Sequence, residues 1–278
     1  MDNVSVIIPT WNRAETIPRA IKSALSQTLP PLEILVCDDG STDKTYEIIK
    51  SLSSPKVRWI SNQHTGLPAV PRNRGIKEAN GEWLAFLDSD DEWLPNRLKT
   101  QLEIAEKNNS KVVVSNAYRF VLPKGIVGNL LDWNKDKLTF SDLIKENKII
   151  CSSVLIQHAS LFTKVFGFPE NKNLRAIEDY ALWLRVATQT DFAYISEPLL
   201  IYHDDPQASI RNETKINFVE QKKYVFQDFL NWSKRQKDLE KYAKMIKKTH
   251  LSTSKTIFQN YLINIFQAFK KNENSSYS

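Results

Sequence analysis

Short apolar runs of strand length alternate with amphipathic segments through the first 116 residues, and this alternation constrains the fold more than any other feature. The runs are residues 4–8, 32–37, 57–60 and 83–87. Between the first two runs, residues 14–27 place Ile17, Ile21 and Leu25 at helical spacing. Strands that alternate with helices predict a mainly parallel, buried sheet with helices on both faces. We therefore expect an α/β, Rossmann-like domain.

The cysteine content and the hydropathy of the chain restrict its surroundings. Cys37 and Cys151 are the two cysteines among 278 residues, and neither belongs to a C-x-x-C pair. This pattern excludes a disulfide framework and fits a reducing compartment, and Cys37 is expected to be a small buried hydrophobe. No apolar stretch reaches the length of a membrane span, and no basic leader precedes the first apolar run. We expect a cytoplasmic protein.

The net charge of +6 is concentrated in the last part of the chain. Residues 213–278 hold 13 Lys and Arg against 6 Asp and Glu, whereas residues 1–212 are nearly neutral. Because the pattern also becomes helical there, we place a domain boundary near residues 205–212. A basic helical extension attracts anionic lipid, nucleic acid or an acidic partner, or simply forms a solvated surface. Charge alone leaves these alternatives open.

Polar residues follow the predicted strands at the points where the strands end. Asp38 and Asp39 follow the second run, and the acidic segment 88–91 follows the fourth. Ligands of open α/β sheets bind outside the carboxyl ends of the strands. Crowded carboxylates repel one another unless a cation or hydrogen-bond donors lie near them. The pattern favours Mg²⁺ or Mn²⁺ bound together with substrate phosphates. The alternative is an acidic cluster at the start of the helix that begins at Pro95.

Five blocks, in order along the chain, resemble the motifs of the family 2 inverting glycosyltransferases of GT-A fold. They are VSVIIPTWNR (4–13), DDGSTD (38–43), RNRG (72–75), LDSDD (87–91) and EDYALW (178–183). Each block alone is a weak signal, but the ordered set is highly specific. The resemblance implies transfer of a sugar from a nucleotide sugar, a uridine diphosphate (UDP) sugar by preference, to an acceptor hydroxyl. It also implies a role in assembling bacterial surface polysaccharide, lipopolysaccharide or glycolipid.

The resemblance assigns a nucleotide-sugar site to the first four blocks. The residues of this site are Pro9, Thr10, Asn12, Arg13, Asp38, Asp39, Arg72, Asp88 and Ser89. Among them, Asp39 is the expected reader of the uracil edge, with Asp38 acting at the base or ribose. Arg72 is expected to approach the base or the pyrophosphate. Asp88 is expected to bind the ribose or a donor hydroxyl.

The same resemblance assigns metal and catalytic roles. Asp90 is the expected metal ligand, and Asp91 is an alternative to it. Glu178 and Asp179 match an acidic pair in which Asp179 serves as general base. Inverting displacement needs such a base for the acceptor proton and a cation for the departing diphosphate. Without the upstream blocks, helix capping would explain the acidic pair about equally well.

One segment departs from the family pattern. Members often carry Tyr-Arg-x-His after the last strand of the sheet, whereas this chain has YHDDP at residues 202–206. His203 stands where arginine is usual, and Asp205 stands where histidine is usual. Either side chain can complete the metal site, so the third ligand is left open.

The blocks also suggest how the chain is divided. Residues 1–212 are expected to form the GT-A catalytic domain, with a nucleotide-sugar-binding half at 1–116 and an acceptor-binding half at 117–212. Residues 213–278 form a helical basic extension with an apolar stripe at 257–269. The stripe predicts peripheral contact with the inner face of a membrane, packing on the catalytic domain or a homodimer contact. The expected acceptor is a glycan or a lipid-linked sugar, and no nucleic acid partner is expected.

Two other classes of protein share part of this pattern. A nucleotidyltransferase also uses a doubly wound sheet and acidic metal ligands, but the seven glycines of this chain form no Gly-rich phosphate loop. A nucleotide-sugar-binding protein without transferase activity would explain the basic extension but not the two acidic blocks in order. Donor hydrolysis distinguishes such a binder from an enzyme.

Overall fold

A computed structural model describes residues 3–158, 164–205, 218–234 and 236–249. The chain divides into two compact units, residues 1–225 and 226–278. The boundary expected near residue 212 falls in 206–217, outside the described residues, and stays a prediction. The larger unit holds the sheet and the site described below.

Four parallel strands form one half of the sheet, as the alternating pattern predicts. They are β1 (Val4–Thr10), β2 (Glu33–Asp38), β3 (Val57–Ser61) and β4 (Trp83–Phe86), in the spatial order β3-β2-β1-β4. In their register Thr10 lies beside Asp38, and Asp38 lies beside Ser61. The carboxyl ends of these strands therefore meet at one edge, which brings the polar residues after them together.

The other half of the sheet is mixed. Its strands, numbered in chain order, are β5 (Glu92–Trp93), β6 (Val112–Val121), β7 (Gly125–Asn129), β8 (Lys137–Leu138), β9 (Leu155–Gln157) and β10 (Phe192–His203). β9 pairs antiparallel with both β4 and β6, and so joins the two halves. β10 runs parallel to β6 with two register shifts around Pro198. Residues 192–203 thus form one irregular strand that ends at His203.

Helices cover the sheet and position the loops of the site. Within the described residues they are α1 (Ile17–Leu25), α2 (Thr45–Ser51), α3 (Ala69–Glu78), α4 (Arg97–Asn108), α5 (Phe140–Leu143), α6 (Glu178–Val186) and α7 (Phe218–Ser233), and residues 240–249 are also helical. The predicted stripe of α1 is buried at Ile17 and Ile21. No helix in the described ranges is both long and apolar enough to cross a membrane.

Gly75 sets how closely α3 approaches the sheet. A Cβ added there would lie 2.6 Å from Cγ2 of Ile7 and 2.9 Å from Sγ of Cys37. Cys37 is fully buried in β2, as its apolar run predicts, and burial raises the pKa of its thiol to about 12. The glycine of the RNRG block therefore serves helix–sheet packing, and this packing places Arg72, one turn earlier, over the strand ends.

Candidate active site

A cavity of about 480 Å³ opens at the carboxyl edge of the sheet. Most of the residues assigned to the site from sequence line it. They are Pro9, Thr10, Arg13, Asp39, Arg72, Asp88, Ser89, Asp90, Glu178, Asp179, His203 and Asp205. Asn12, Asp38 and Asp91 are not among the lining residues. Blocks more than 100 residues apart thus contribute to one surface.

Asn12 and Asp38 hold the loop between β2 and α2 in shape. Asn12 has a φ of 50°, and its side-chain oxygen accepts a hydrogen bond of 2.8 Å from the Thr42 amide. The buried carboxylate of Asp38 accepts bonds from the amides of Gly40 and Ser41 and from the hydroxyl of Ser61. Because these bonds occupy Asp38, the structure places it beneath the cavity wall. The contact of Asp38 with the base or ribose stays a prediction.

Asp39 lines the cavity and also fixes a second loop. Its carboxylate accepts hydrogen bonds from the amides of Thr65 and Gly66, and His64 Nδ1 lies 3.1 Å from the same carboxylate. Anchored in this way, the His64 ring stacks on Trp11 with centroids 4.5 Å apart and planes 22° apart. Trp11 is 39% exposed and lines the cavity. The pair offers a flat aromatic face to the cavity.

Arg72 connects two acidic blocks. Its guanidinium donates to Asp88 Oδ1 and to Glu178 Oε1, at 2.6 Å each, and its side chain is only 7% exposed. Burial lowers the pKa of Arg72, but Cys151 and the carboxylates of Asp88 and Glu178 together outweigh burial and raise the pKa well above its usual value. Arg72 therefore stays protonated. Its two bonds, called the Arg72 fork below, hold the end of β4 and the start of α6 at a fixed distance from each other.

The acidic segment after β4 separates into exposed and buried members. The Asp90 side chain is 35% exposed at the cavity, and Arg13 Nη2 lies 3.9 Å from its carboxylate. Desolvation by the surrounding protein and the neighbouring Asp88 carboxylate raise the pKa of Asp90. Asp91, in contrast, is 1% exposed and accepts hydrogen bonds from the Ser152 hydroxyl and the His203 amide. Asp91 thus supports the wall, and Asp90 faces the ligand space.

His203 faces the cavity next to these carboxylates. Its ring packs on Phe120 with centroids 4.7 Å apart, and burial, together with Arg19, lowers its pKa to about 4. The ring is therefore neutral at pH 7. Its Nε2 is buried and has no hydrogen-bond partner among the described residues. A neutral imidazole with an unpartnered nitrogen is a group that a divalent cation accepts as ligand.

The acidic and imidazole side chains of the cavity fit an incomplete site for a divalent cation. Among the described residues, no three His, Cys, Asp or Glu side chains are grouped closely enough to hold a metal ion by themselves. Mg²⁺ keeps several waters and binds through one or two carboxylates together with substrate phosphates, and therefore needs no complete protein cage. Asp90 on the cavity surface and the orphaned Nε2 of His203 fit such an incomplete site.

Asp179 lies in the first turn of α6, where a carboxylate interacts favourably with the helix dipole. It lines the cavity, and its Oδ1 accepts a bond of 2.7 Å from the Tyr180 amide. The neighbouring Glu178 is 4% exposed and carries the bond to Arg72. Just before them, Ala176 has a φ of 68°, a strained conformation for a residue with a Cβ. The two acids of the pair therefore have different surroundings: Glu178 is buried against Arg72, whereas Asp179 is half-buried at the cavity wall.

Sequence reasoning missed several residues of the cavity wall. Trp11, His64, Arg175, Tyr180 and Lys222 all line it. Trp11 stands inside the first block and was a detectable aromatic at a strand end. Tyr180 stands inside the fifth block, on α6. His64 and Arg175 come from loops and Lys222 from α7, where no local pattern marks a cavity wall.

Comparison with known proteins supports the assignment from geometry. The family model for glycosyl transferase family 2 matches residues 5–158. UDP-Glc:alpha-D-GlcNAc-diphosphoundecaprenol beta-1,3-glucosyltransferase WfgD of Escherichia coli is 34% identical over 193 residues, covering 69% of this chain and 73% of that protein. The putative teichuronic acid biosynthesis glycosyltransferase TuaG of Bacillus subtilis is 29% identical, covering 69% and 74% respectively.

A solved structure agrees in fold. S. aureus TarS 1–349 in complex with UDP-GlcNAc has a TM-score of 0.71 at 21% identity, and the match covers 90% of this chain and 73% of that chain. The chain belongs to glycosyl transferase family 2, and it is a glycosyltransferase. The predicted family and the predicted GT-A fold are thereby confirmed.

Proposed function

We propose that this glycosyltransferase moves a sugar from a UDP-sugar to a hydroxyl of a lipid-linked acceptor, with inversion at the anomeric carbon. The name of WfgD gives both a UDP-sugar donor and a diphosphoundecaprenol-linked acceptor, and TarS was solved with UDP-GlcNAc. The observation that carries the proposal is the Arg72 fork. It ties Asp88, at the end of β4, to Glu178, and so places the adjacent Asp179 in the same cavity as the strand-end residues.

The donor is proposed to lie over the ends of β1, β2 and β4. The stacked faces of Trp11 and His64 suit the uracil ring, because an aromatic face accepts a flat base with little entropic cost. The carboxylate of Asp39 lies 3.1 Å from Nδ1 of His64, and Nη2 of Arg13 lies 3.9 Å from the carboxylate of Asp90. Arg13 is a candidate partner for the pyrophosphate, since a guanidinium matches phosphate oxygens in two-point contact.

A divalent cation, Mn²⁺ or Mg²⁺, is proposed as the cofactor. Asp90 would hold it, with His203 or Asp205 as a further ligand, and Asp88 stays engaged with Arg72. When bound, such a cation stabilises the negative charge that develops on the departing diphosphate. Asp91 is not proposed as a ligand, because its carboxylate accepts hydrogen bonds from the Ser152 hydroxyl and the His203 amide.

Asp179 is proposed as the general base. An inverting displacement brings the acceptor hydroxyl in on the face opposite the leaving diphosphate, so the base must stand away from the phosphate-binding residues. Asp179 lies on α6, separated from the strand ends by the Arg72 fork. Its carboxylate takes the acceptor proton as the new bond forms. Glu178 orients Arg72 in this scheme and does not exchange protons.

The proposal is tested by a donor screen followed by a transfer assay. A bound UDP-sugar with Mn²⁺ stabilises the native state by mass action, so the right donor raises Tm above that given by UDP alone. With that donor and a sugar linked to a short polyprenyl diphosphate, UDP release should accompany formation of a new glycosidic bond of inverted configuration. Binding of UDP-sugars without hydrolysis or transfer would instead support a non-catalytic binder.

The cellular setting stays a proposal as well. A lipid-linked acceptor and a nucleotide donor would meet at the inner face of a membrane, where we place the enzyme. The apolar stripe at residues 257–269, predicted to contact membrane, catalytic domain or a second copy, lies outside the described residues.

A further inference from the structure

The wall of the cavity next to Asp179 carries positive charge. Arg175, four residues before Asp179, lines the cavity, and so does Lys222 of α7. Asn147 and Gln221 line it as well. These side chains can all donate hydrogen bonds. At the strand ends, Arg13 lies near Asp90 and Arg72 binds Asp88.

Lys222 is held close to the helix that carries Asp179. Its ammonium donates a hydrogen bond of 2.8 Å to the Lys145 carbonyl. The hydroxyl of Tyr180 donates a bond of 2.6 Å to the carbonyl of Leu143. Residues two apart are at most about 7 Å apart along the chain, so the two anchor points are neighbours. The ammonium of Lys222 and the first turn of α6 therefore flank the same short segment.

Lys222 is also costly to bury. It is 9% exposed, and burial lowers the pKa of its ammonium. A long side chain on a surface helix normally extends its charged end into water. Here the charge is directed instead to a cavity wall, where nearby Glu146 raises the pKa and so compensates part of the cost of burial. An anionic ligand in the cavity would stabilise the ammonium further.

We propose that Arg175 and Lys222 form an anion subsite that binds a phosphate or diphosphate carried by the acceptor. The proposal rests on the proposed function, because it assumes that the acceptor hydroxyl meets Asp179. The proposed place of the donor diphosphate is with Arg13 and Asp90, which lie 3.9 Å apart. An anion beside Asp179 is then the linkage between the acceptor sugar and its lipid, and the subsite selects acceptors by that charge.

Two acceptors with one sugar test the proposal. One carries a short polyprenyl diphosphate at its anomeric carbon, and the other carries a neutral alkyl chain of matching length. The readout is the ratio of kcat/KM values for the charged and the neutral acceptor. In Arg175→Gln and in Lys222→Met this ratio should fall about tenfold or more, as expected when a hydrogen bond to a charged group is lost. Lys222→Arg should restore part of it.

A matched control and a binding measurement keep the result decisive. Lys223 is the exposed neighbour of Lys222 and does not line the cavity, so Lys223→Gln should leave the ratio unchanged. Calorimetry with farnesyl diphosphate in saturating UDP should show binding by the wild type and weaker binding by both variants, whether or not transfer occurs. Equal losses on both acceptors, or no binding of farnesyl diphosphate by the wild type, would overturn the subsite. Failure of UDP-sugar binding would instead count against the proposed function.

Discussion

The guanidinium of Arg72 bonds to the carboxylate of Glu178 at 2.6 Å, although 106 positions separate the two residues in sequence. The pair is almost fully buried, with side-chain exposures of 7% and 5%. A second arm of the same guanidinium reaches Asp88. This fork gives the RNRG block a physical role, because it fixes the spacing between the end of β4 and the start of helix α6.

Removing the fork should cost both stability and activity. Arg72→Gln leaves Glu178 buried without its cation, and breaking a buried pair costs about 3–5 kcal/mol. Urea unfolding should show this loss, and kcat should fall because α6 is no longer held against β4. Arg74→Gln, on the same helix but with a longer, exposed bond to the Ser61 carbonyl, is the control. Equal stability of the two variants would show that the buried bridge contributes little.

Replacing Asp90 should remove the cation. Asp90→Asn keeps the side-chain shape, so we expect loss of transfer and a large loss of Mn²⁺-dependent UDP affinity, with metal-free affinity nearly unchanged. Calorimetric titration with and without Mn²⁺ measures both. The same titration on His203→Ala and Asp205→Ala decides which residue is the further ligand. Unaltered Mn²⁺ dependence in Asp90→Asn would contradict the assignment.

Replacing Asp179 should separate chemistry from binding. Asp179→Asn removes the base without removing the side chain, and loss of general-base assistance lowers the rate by about 10²–10⁴-fold. We expect kcat to fall by that range, while the Kd for the UDP-sugar stays within a few-fold. Glu178→Gln should mainly lower Tm, because Glu178 pairs with the buried Arg72. Near-normal turnover of Asp179→Asn would refute the general-base role.

Removing the aromatic face should weaken nucleotide binding. Stacking of one base on an aromatic side chain contributes about 1–3 kcal/mol, so Trp11→Ala should raise the Kd for UDP about tenfold or more. The effect should be alike for UDP and for a UDP-sugar, because the contact is with the base. Tyr46→Ala is the control: Tyr46 is 45% exposed and lies outside the cavity. Fluorescence titration measures the Kd for UDP in both variants. A Kd of Trp11→Ala equal to that of Tyr46→Ala would exclude Trp11 from the base site.

Filling the contact at Gly75 should destabilise the domain. In Gly75→Ala the new Cβ meets Ile7 and Cys37 at less than 3.0 Å. Overpacking of this kind costs about 1–3 kcal/mol. Lys77→Ala, exposed on the same helix, should change stability little. Thermal unfolding of the two variants compares them directly, and an unchanged Tm for Gly75→Ala would mean that α3 moves freely away from the sheet.

Local pattern was sufficient to predict the parallel half of the sheet. An apolar run between turn residues indicates a buried segment, and the alternation of such runs with helices indicates how the segments are connected. The mixed half was predicted less well. The short β5 and β8 each pair with β10 over two residues, so their conformation depends on a distant strand and not on their own periodicity.

The sequence by itself determined the glycosyltransferase family, the doubly covered α/β sheet and most of the residues at its carboxyl edge. Only the tertiary structure decided which of two adjacent acids faces the ligand. Asp39 and Asp90 line the cavity, whereas Asp38 and Asp91 accept hydrogen bonds from the hydroxyls of Ser61 and Ser152. Neighbouring carboxylates are alike in sequence, but their directions depend on donors from loops far along the chain. Those donors come together only when the whole chain has folded.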